Sequence, residues 1–333
     1  MKKRTTLADI ARSAGVSLMT VSRAVNNKPG ISEELRGKIL AMAEEVGYQP
    51  SHIARSLATN RTCTIGLVVP DNINPFFAQI ARGVEDVAYE NGYNIFLVNT
   101  AEILDREVAA HNSLWQKSID GVILCSSRLP AEELETQTQR FPAAVLLNRE
   151  LSSPLPKTVT INVNDLRGAQ LAMQHFVNQG RSRIAYINGP ATSTSARRRL
   201  DGYRAGLKTF DLPFDAQIVE SCFPNTECGR EATSLLLARR PDIDAIYAFN
   251  DLVAVGAMQI CLEAGKHVPE DVAIIGVDDI PLATIIRPQL TTLHVNLSHI
   301  GRLAMHALLE IIEWDASPSA ILIEPELYVR DSA

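Results

Sequence analysis

Up to about residue 50, the apolar positions of the chain recur every three or four residues. Leu7, Ile10, Ala11 and Ala14 fall at i, i+3, i+4 and i+7, one face of an α-helix, and Thr6 stands before them as a capping residue. Gly15 supplies a turn, and Ser17 can cap a second helix whose apolar face carries Val21, Ala24 and Val25. The polar loop Asn26-Asn27-Lys28-Pro29-Gly30 interrupts. Ser32 then caps a third helix with Leu35, Ile39, Met42, Ala43 and Val46 facing inward, ended by Gly47 and Pro50. From Thr64 the period changes. Strand-length apolar runs at 65–69, 95–99, 122–125, 144–148, 184–188, 245–249 and 272–277 alternate with amphipathic stretches such as 76–90, 166–178, 196–210, 252–264 and 298–313. That alternation predicts an α/β fold with parallel sheets. Roughly 270 residues suit two lobes better than one.

Composition narrows the class. The chain has 333 residues and is 46% apolar, enough for substantial cores. Its longest apolar runs are too short to span a bilayer, and the opening Met1-Lys2-Lys3-Arg4-Thr5-Thr6 has no secretory apolar stretch, so a cytoplasmic protein is expected. The five cysteines are odd in number and form no CxxC pair. Cys222 and Cys228 have no partner set for a metal, so free thiols are expected. The net charge of −6 conceals an asymmetry. Through Arg61 there are ten Lys/Arg against five Asp/Glu, a net +5; the remainder has 22 against 33, a net −11. A small basic module on an acidic body is the electrostatic footprint of a DNA-binding head on a sensor.

The first two helices and their glycine turn make a helix-turn-helix, whose second helix can lie in the major groove. With Val21 inward, Leu18, Met19, Ser22 and Arg23 face outward. Ser17, Thr20 and Ser22 offer hydroxyls to phosphate oxygens, and Leu18 and Met19 suit thymine methyl groups. Thr6, at the head of the first helix, joins these candidate contacts.

The runs Thr6-Leu7-Ala8-Asp9-Ile10-Ala11, Gly15-Val16-Ser17 and Thr20-Val21-Ser22-Arg23-Ala24-Val25-Asn26 resemble the signature of the LacI/GalR family of transcriptional regulators. Val46-Gly47-Tyr48-Gln49-Pro50 and Ala54-Arg55-Ser56-Leu57-Ala58 continue the likeness. Glu326-Leu327-Tyr328-Val329-Arg330-Asp331-Ser332 resembles the family's final core strand. The resemblance implies an all-α head with a hinge helix, followed by a two-lobed, doubly wound sensor like the periplasmic binding proteins. It places a helix-turn-helix domain at 1–49, a hinge helix and linker at 50–62, and an effector domain at 63–333. The N-lobe would take about 63–161 and 293–320, the C-lobe about 162–292 and 321–333. Residues 51–59 would fold on the operator and pair with the dimer mate in the minor groove. There Leu57 would act as an apolar wedge, with Ser51, Ala54 and Arg55 alongside. Tyr48 matches a phosphate contact. Ser51 stands where relatives often have Asn. The implied partners are near-palindromic double-stranded operator DNA, a second copy of the chain, and a small effector. The implied activity is repression. No leucine heptads follow Arg330, so a dimer rather than a tetramer is expected.

Ligands of doubly wound folds bind beyond the carboxyl ends of the strands. At those ends this chain carries Asn74-Pro75-Phe76-Phe77, Asn148-Arg149, Asn250-Asp251 and Asp278-Asp279. Aromatic rings cover the C–H faces of a sugar, while carboxylates, amides and the planar guanidinium fork take its hydroxyls. The family resemblance puts Asn74, Phe76, Phe77, Arg149, Arg199, Asn250 and Asp278 around a ribose-type site. It leaves Arg197 and Arg198 to solvent. Asn148 stands where that pattern has Asp, and Val295 where it has Gln, so the expected effector is a monosaccharide or derivative rather than ribose specifically. The phosphate-loop, nucleophile-elbow, zinc-helix and dinucleotide fingerprints are missing from the sequence, so neither catalysis nor a cofactor or metal is expected. Asp278-Asp279 reads as a ligand contact beside a turn residue rather than an acid–base pair. The competing classes are a transport-associated sugar-binding protein and an α/β enzyme with a DNA-binding head.

Overall fold

The computed structural model describes residues 5–25, 28–48 and 61–333. The hinge positions Ser51, Ala54, Arg55 and Leu57 lie outside the described residues. The chain forms two compact units, Met1–Thr62 and Cys63–Ala333.

In the first unit, α1 (Leu7–Ala14) opens with a capping box: the Asp9 amide donates to Thr6 Oγ1, and the Asp9 carboxylate accepts from the Thr6 amide at 3.0 Å. Gly15, at φ +66°, ends it in the left-handed conformation that glycine adopts without a Cβ penalty. Helices α2 (Leu18–Val25) and α3 (Glu33–Glu45) follow. Ser32 caps α3 by accepting from the Leu35 amide. Ile10, Ala11, Val21, Ala24, Ile39 and Ala43 form the small core where the three helices meet.

The second unit contains two sheets of six strands. The strands are β1 (Thr64–Val69), β2 (Asn94–Asn99), β3 (Gly121–Cys125), β4 (Ala144–Leu147), β5 (Thr158–Val163), β6 (Ile184–Asn188), β7 (Val219–Ser221), β8 (Ala245–Ala248), β9 (Ala273–Asp278), β10 (Thr291–His294), β11 (Ile321–Ile323) and β12 (Glu326–Tyr328). The first sheet has the order β11-β5-β4-β3-β1-β2 and the second β12-β10-β9-β8-β6-β7. All neighbours are parallel except β10 and β12. Helices cover both faces of each sheet, so the central strands are buried on both sides and read as unbroken apolar runs.

The chain passes between the sheets three times: after Val163, after His294 and after Ile323. All three fall two or three residues beyond the expected lobe limits of about 161, 292 and 320. Strand β10 lies wholly in the second sheet, in register with β9, and β11 lies in the first, where Ile321 opposes Ile161. Strands of only four and three residues fit either sheet; which one they join is decided by the partner strand.

In the first lobe, α4 (Pro75–Glu90) packs on α12 (Leu297–Trp314) through two glycines. A Cβ at Gly83 would sit 2.0 Å from the Ser298 carbonyl oxygen, and one at Gly301 would sit 2.1 Å from that of Ile80. The backbones therefore approach more closely than any larger residue permits. No helix among the described residues is long and apolar enough to cross a membrane.

Candidate functional site

The exposed face of α2 begins at Ser17, whose Oγ accepts the Thr20 amide at 3.1 Å and lies 2.9 Å from Thr20 Oγ1. Leu18 and Met19 are 54% and 64% exposed, while Val21 and Ala24 on the opposite side are buried. Leaving two large apolar side chains on the surface of so small a unit is unfavourable unless something covers them. Ser17 and Arg23 are exposed with them; Thr20 and Ser22 are half-buried. Tyr48 packs against the core, where burial raises its hydroxyl pKa. Thr6 is committed to its capping box.

In the second unit a narrow cleft opens at the carboxyl ends of both sheets. From the first lobe come Asn74, Phe76 and Phe77. Asn74 caps α4, its Oδ1 accepting the Phe76 amide at 3.0 Å, and the two rings meet edge to face with centroids 4.9 Å apart. Asn148, at φ +53°, accepts weakly from the Val163 amide at the first lobe crossing. From the second lobe come Arg199, Asn250 and Asp278. Asn250 caps the helix Asp251–Glu263 and reaches the Pro224 carbonyl with its amide nitrogen.

Arg199 is the electrostatic centre of the second-lobe wall. It projects from the helix Thr194–Thr209, with Nε 2.8 Å from Asp165 Oδ1, Nη1 on the Phe249 carbonyl, and its plane 4.8 Å from the Phe249 ring centroid. Asp278 lies farther off, at 3.9 Å. Burial works against the charged guanidinium, but Asp165 and Asp278 outweigh it and hold its pKa above the ordinary value. Burial likewise pushes the Asp278 carboxyl up to about 7, with Arg199 opposing. Both partners shift upward because the tight partner of Arg199 is Asp165, which leaves Asp278 only loosely compensated. The backbone at Asp278 has φ +109°, a conformation L-residues seldom adopt. Strain of this kind persists where the surroundings enforce it and clusters at ligand sites.

The adjacent carboxylates part company. Asp278 faces the cavity, whereas Asp279 is held by His294 Nδ1 at 2.8 Å and Arg330 Nη2 at 2.6 Å. The arginine triplet also divides: Arg197 is exposed, Arg198 pairs with Glu150 at 2.7 Å, and Arg199 is buried. Arg198, sequence-read as solvated, is therefore largely enclosed.

Arg149 is the one predicted effector residue that the structure does not bring to the cavity. Its guanidinium donates to Thr194 Oγ1 and the Leu129 carbonyl instead. The guanidinium that does line the first-lobe wall is Arg128, which forms a fork with Glu102. Ser126, Ser193, Ser195 and Phe249 also line the cavity and were not singled out in the sequence. Val295 is buried among the apolar residues of the first lobe. Among the described residues no cluster of three or more potential metal ligands occurs. Cys222 and Cys228 are free thiols.

Comparison with known proteins follows the same division. Residues 6–51 match the family model described as bacterial regulatory proteins, lacI family. Residues 62–331 match periplasmic binding proteins and sugar binding domain of LacI family. The chain is 38% identical over 309 residues to a ribose operon repressor of Halalkalibacterium halodurans, which covers 93% of this chain and 91% of that protein. It is 36% identical over 332 residues to the ribose operon repressor of Escherichia coli K12, at 98% and 99% coverage. The crystal structure of a lac repressor dimer bound to operator and the anti-inducer ONPF resembles it with a TM-score of 0.89, 26% identity and 99% coverage of each chain.

Proposed function

The chain belongs to the LacI family of bacterial regulatory proteins, and on that premise we propose that it represses transcription from a near-palindromic operator, with an affinity set by a small sugar-like effector. The observation that carries this reading is the cavity shared by the carboxyl ends of two sheets, each lobe supplying amide and charged side chains and the first a pair of rings. A ligand touching both walls stabilises one arrangement of the lobes by its differential contacts, which is the only way it can shift an equilibrium. The first lobe begins directly after residues 51–59, so that shift can reach the hinge through the chain itself.

On this reading residues 1–49 are the head, 50–62 the hinge and linker, and 63–333 the sensor. Leu18, Met19 and Arg23 face bases, and Ser17, Thr20, Ser22, Thr6 and Tyr48 face the phosphate backbone. Ser51, Ala54, Arg55 and Leu57 enter the minor groove. Asn74, Phe76, Phe77, Asn148, Arg199, Asn250 and Asp278 hold the effector, while Arg149 braces the wall behind them. The protein works as a cytoplasmic binding protein, not an enzyme. A homodimer reads the two half-sites. A fitting face for it is the edge strand β2, where Phe96 and Leu97 are both nearly half exposed, beside Tyr89 on α4.

The deciding experiment is a gel shift with the DNA upstream of the protein's own operon, with and without candidate sugars. A shift relieved or strengthened by a sugar is expected. Failure to bind any such DNA would favour a sugar-binding protein or an enzyme. Leu57→Ala should weaken operator binding and reduce bending while leaving effector affinity unchanged; a variant that bends DNA like the wild type would remove the wedge.

A further inference from the structure

The two guanidiniums of the cavity are each already matched by a carboxylate. Arg128 meets Glu102 with Nε at 2.5 Å from one oxygen and Nη2 at 2.9 Å from the other, and the two side chains are only 6% and 7% exposed. Arg199 meets Asp165 at 2.8 Å. Asp278 remains as a further carboxylate on the same cavity. Whether Asp278 is protonated or ionised, these five groups sum to zero or to a negative charge, never to a positive one. The third guanidinium nearby, Arg149, is turned to Thr194 and Leu129 and lines no part of the cavity.

The placement of Glu102 is a deliberate feature of the backbone. Ala101 and Glu102 are consecutive non-glycine residues in the left-handed region, at φ +51° and +59°, and the Glu102 amide is tied to the Pro70 carbonyl. Two such residues in succession are costly, and they persist here where they carry a carboxylate onto the fork face of Arg128. That face is the one a phosphate or carboxylate ligand would take.

Resting on the effector reading above, we propose that the cavity selects an uncharged, polyhydroxylated effector and rejects its phosphorylated or carboxylated counterpart, with Glu102 as the specificity-determining residue. An ionised carboxylate has about four lone-pair sites. The fork occupies only some of those on Glu102, so sugar hydroxyls can still donate to Glu102 and Asp278. A phosphate entering the same space would meet these carboxylates, with both guanidiniums that line the cavity already paired and so not available to offset its desolvation.

The test is isothermal titration of the full chain with ribose, glucose and fructose, each against its own terminal phosphate: ribose 5-phosphate, glucose 6-phosphate and fructose 6-phosphate. For any sugar that binds, the neutral form should bind at least tenfold more tightly than the phosphate. Glu102→Gln should shrink that ratio by about tenfold or more, because it releases Arg128 and gives the cavity a free positive charge. Glu102→Asp, which keeps the charge, should retain most of the ratio. Should Glu102→Gln not fold, the wild-type ratio and Glu102→Asp still decide the matter. A phosphate binding as tightly as its neutral sugar in the wild type would overturn the inference and leave the effector site standing. A folded protein that binds neither class would overturn the effector reading itself, and the inference with it.

Discussion

The two walls of the cavity each expose a buried guanidinium, and they anchor it in different ways. Arg128, on the first-lobe wall, has a single side-chain partner among the described residues, Glu102, in a two-bond fork between two loops. Arg199, on the second, has the Asp165 carboxylate and both the carbonyl and the ring of Phe249, with a second carboxylate, Asp278, behind. A solitary pair can change its charge or partner by one substitution. A network that shares its cation among several neighbours cannot lose a member without disturbing the rest. The first-lobe wall is therefore suited to setting which ligand is accepted, and the second to fixing where it sits.

Arg199→Ala should give the largest effect. It leaves Asp165, whose side chain is 1% exposed, with the longer pair to Arg198 at 3.5 Å in place of its 2.8 Å partner, and breaking a buried pair from one side costs about 3–5 kcal/mol. Chemical denaturation of the sensor should show that loss. Operator release should lose its response to effector, since a charge-assisted bond contributes roughly 1.5–3 kcal/mol to ligand binding. An unchanged denaturation midpoint would mean the second wall is no network. Gly189→Ala should be milder. A Cβ there would lie 2.7 Å from the Phe249 ring, which underlies the Arg199 guanidinium. Overpacking of this kind costs about 1–3 kcal/mol. Effector affinity should fall with it, and a crystal structure should show the ring displaced.

A pH series sharpens the contrast from the side of Asp278. Its carboxyl is raised to about 7 in the folded sensor. The folded state thus holds a proton that the unfolded state has already released. Stability from this group therefore falls as pH rises from about 4 and levels off above about 7. Between pH 6 and pH 8 the loss is on the order of 1 kcal/mol, one proton over about one pKa unit. The wild type should lose that much more than Asp278→Asn across the interval, read by thermal melts without effector. Equal slopes for the two proteins would show that Asp278 ionises without cost.

Much of this arrangement could be read from the chain. The three helices of the head follow from capping residues and spacing, and the residues at strand ends, such as Asn74, Asn250 and Asp278, follow from the rule that doubly wound folds bind there. Glu102 and Arg128 escaped because each sits in a loop after its strand, and nothing local marks the two loops as neighbours. Asp165 opens the helix Asp165–Asn178, where an acidic residue has an ordinary explanation in the helix dipole. Arg149 was read by its position at a strand end, but its long side chain reaches past the cavity to Thr194. Sequence spacing fixes where a Cα lies far better than where a guanidinium ends.

The triple crossing between the lobes bears on how the protein is made. The first sheet is not complete until β11, and its helix α4 has no glycine-matched partner until α12; both are encoded after nearly all of the second lobe. A ribosome therefore releases the head early, while neither lobe of the sensor can close until residues 297–328 have been made. Contacts so distant along the chain form slowly. During that interval, β5 presents an unpaired edge and α4 an uncovered apolar face, the kind of surface that aggregates or recruits chaperones. Synthesis rate over the codons for residues 297–328 should thus govern the yield of soluble protein more than synthesis rate anywhere earlier in the message.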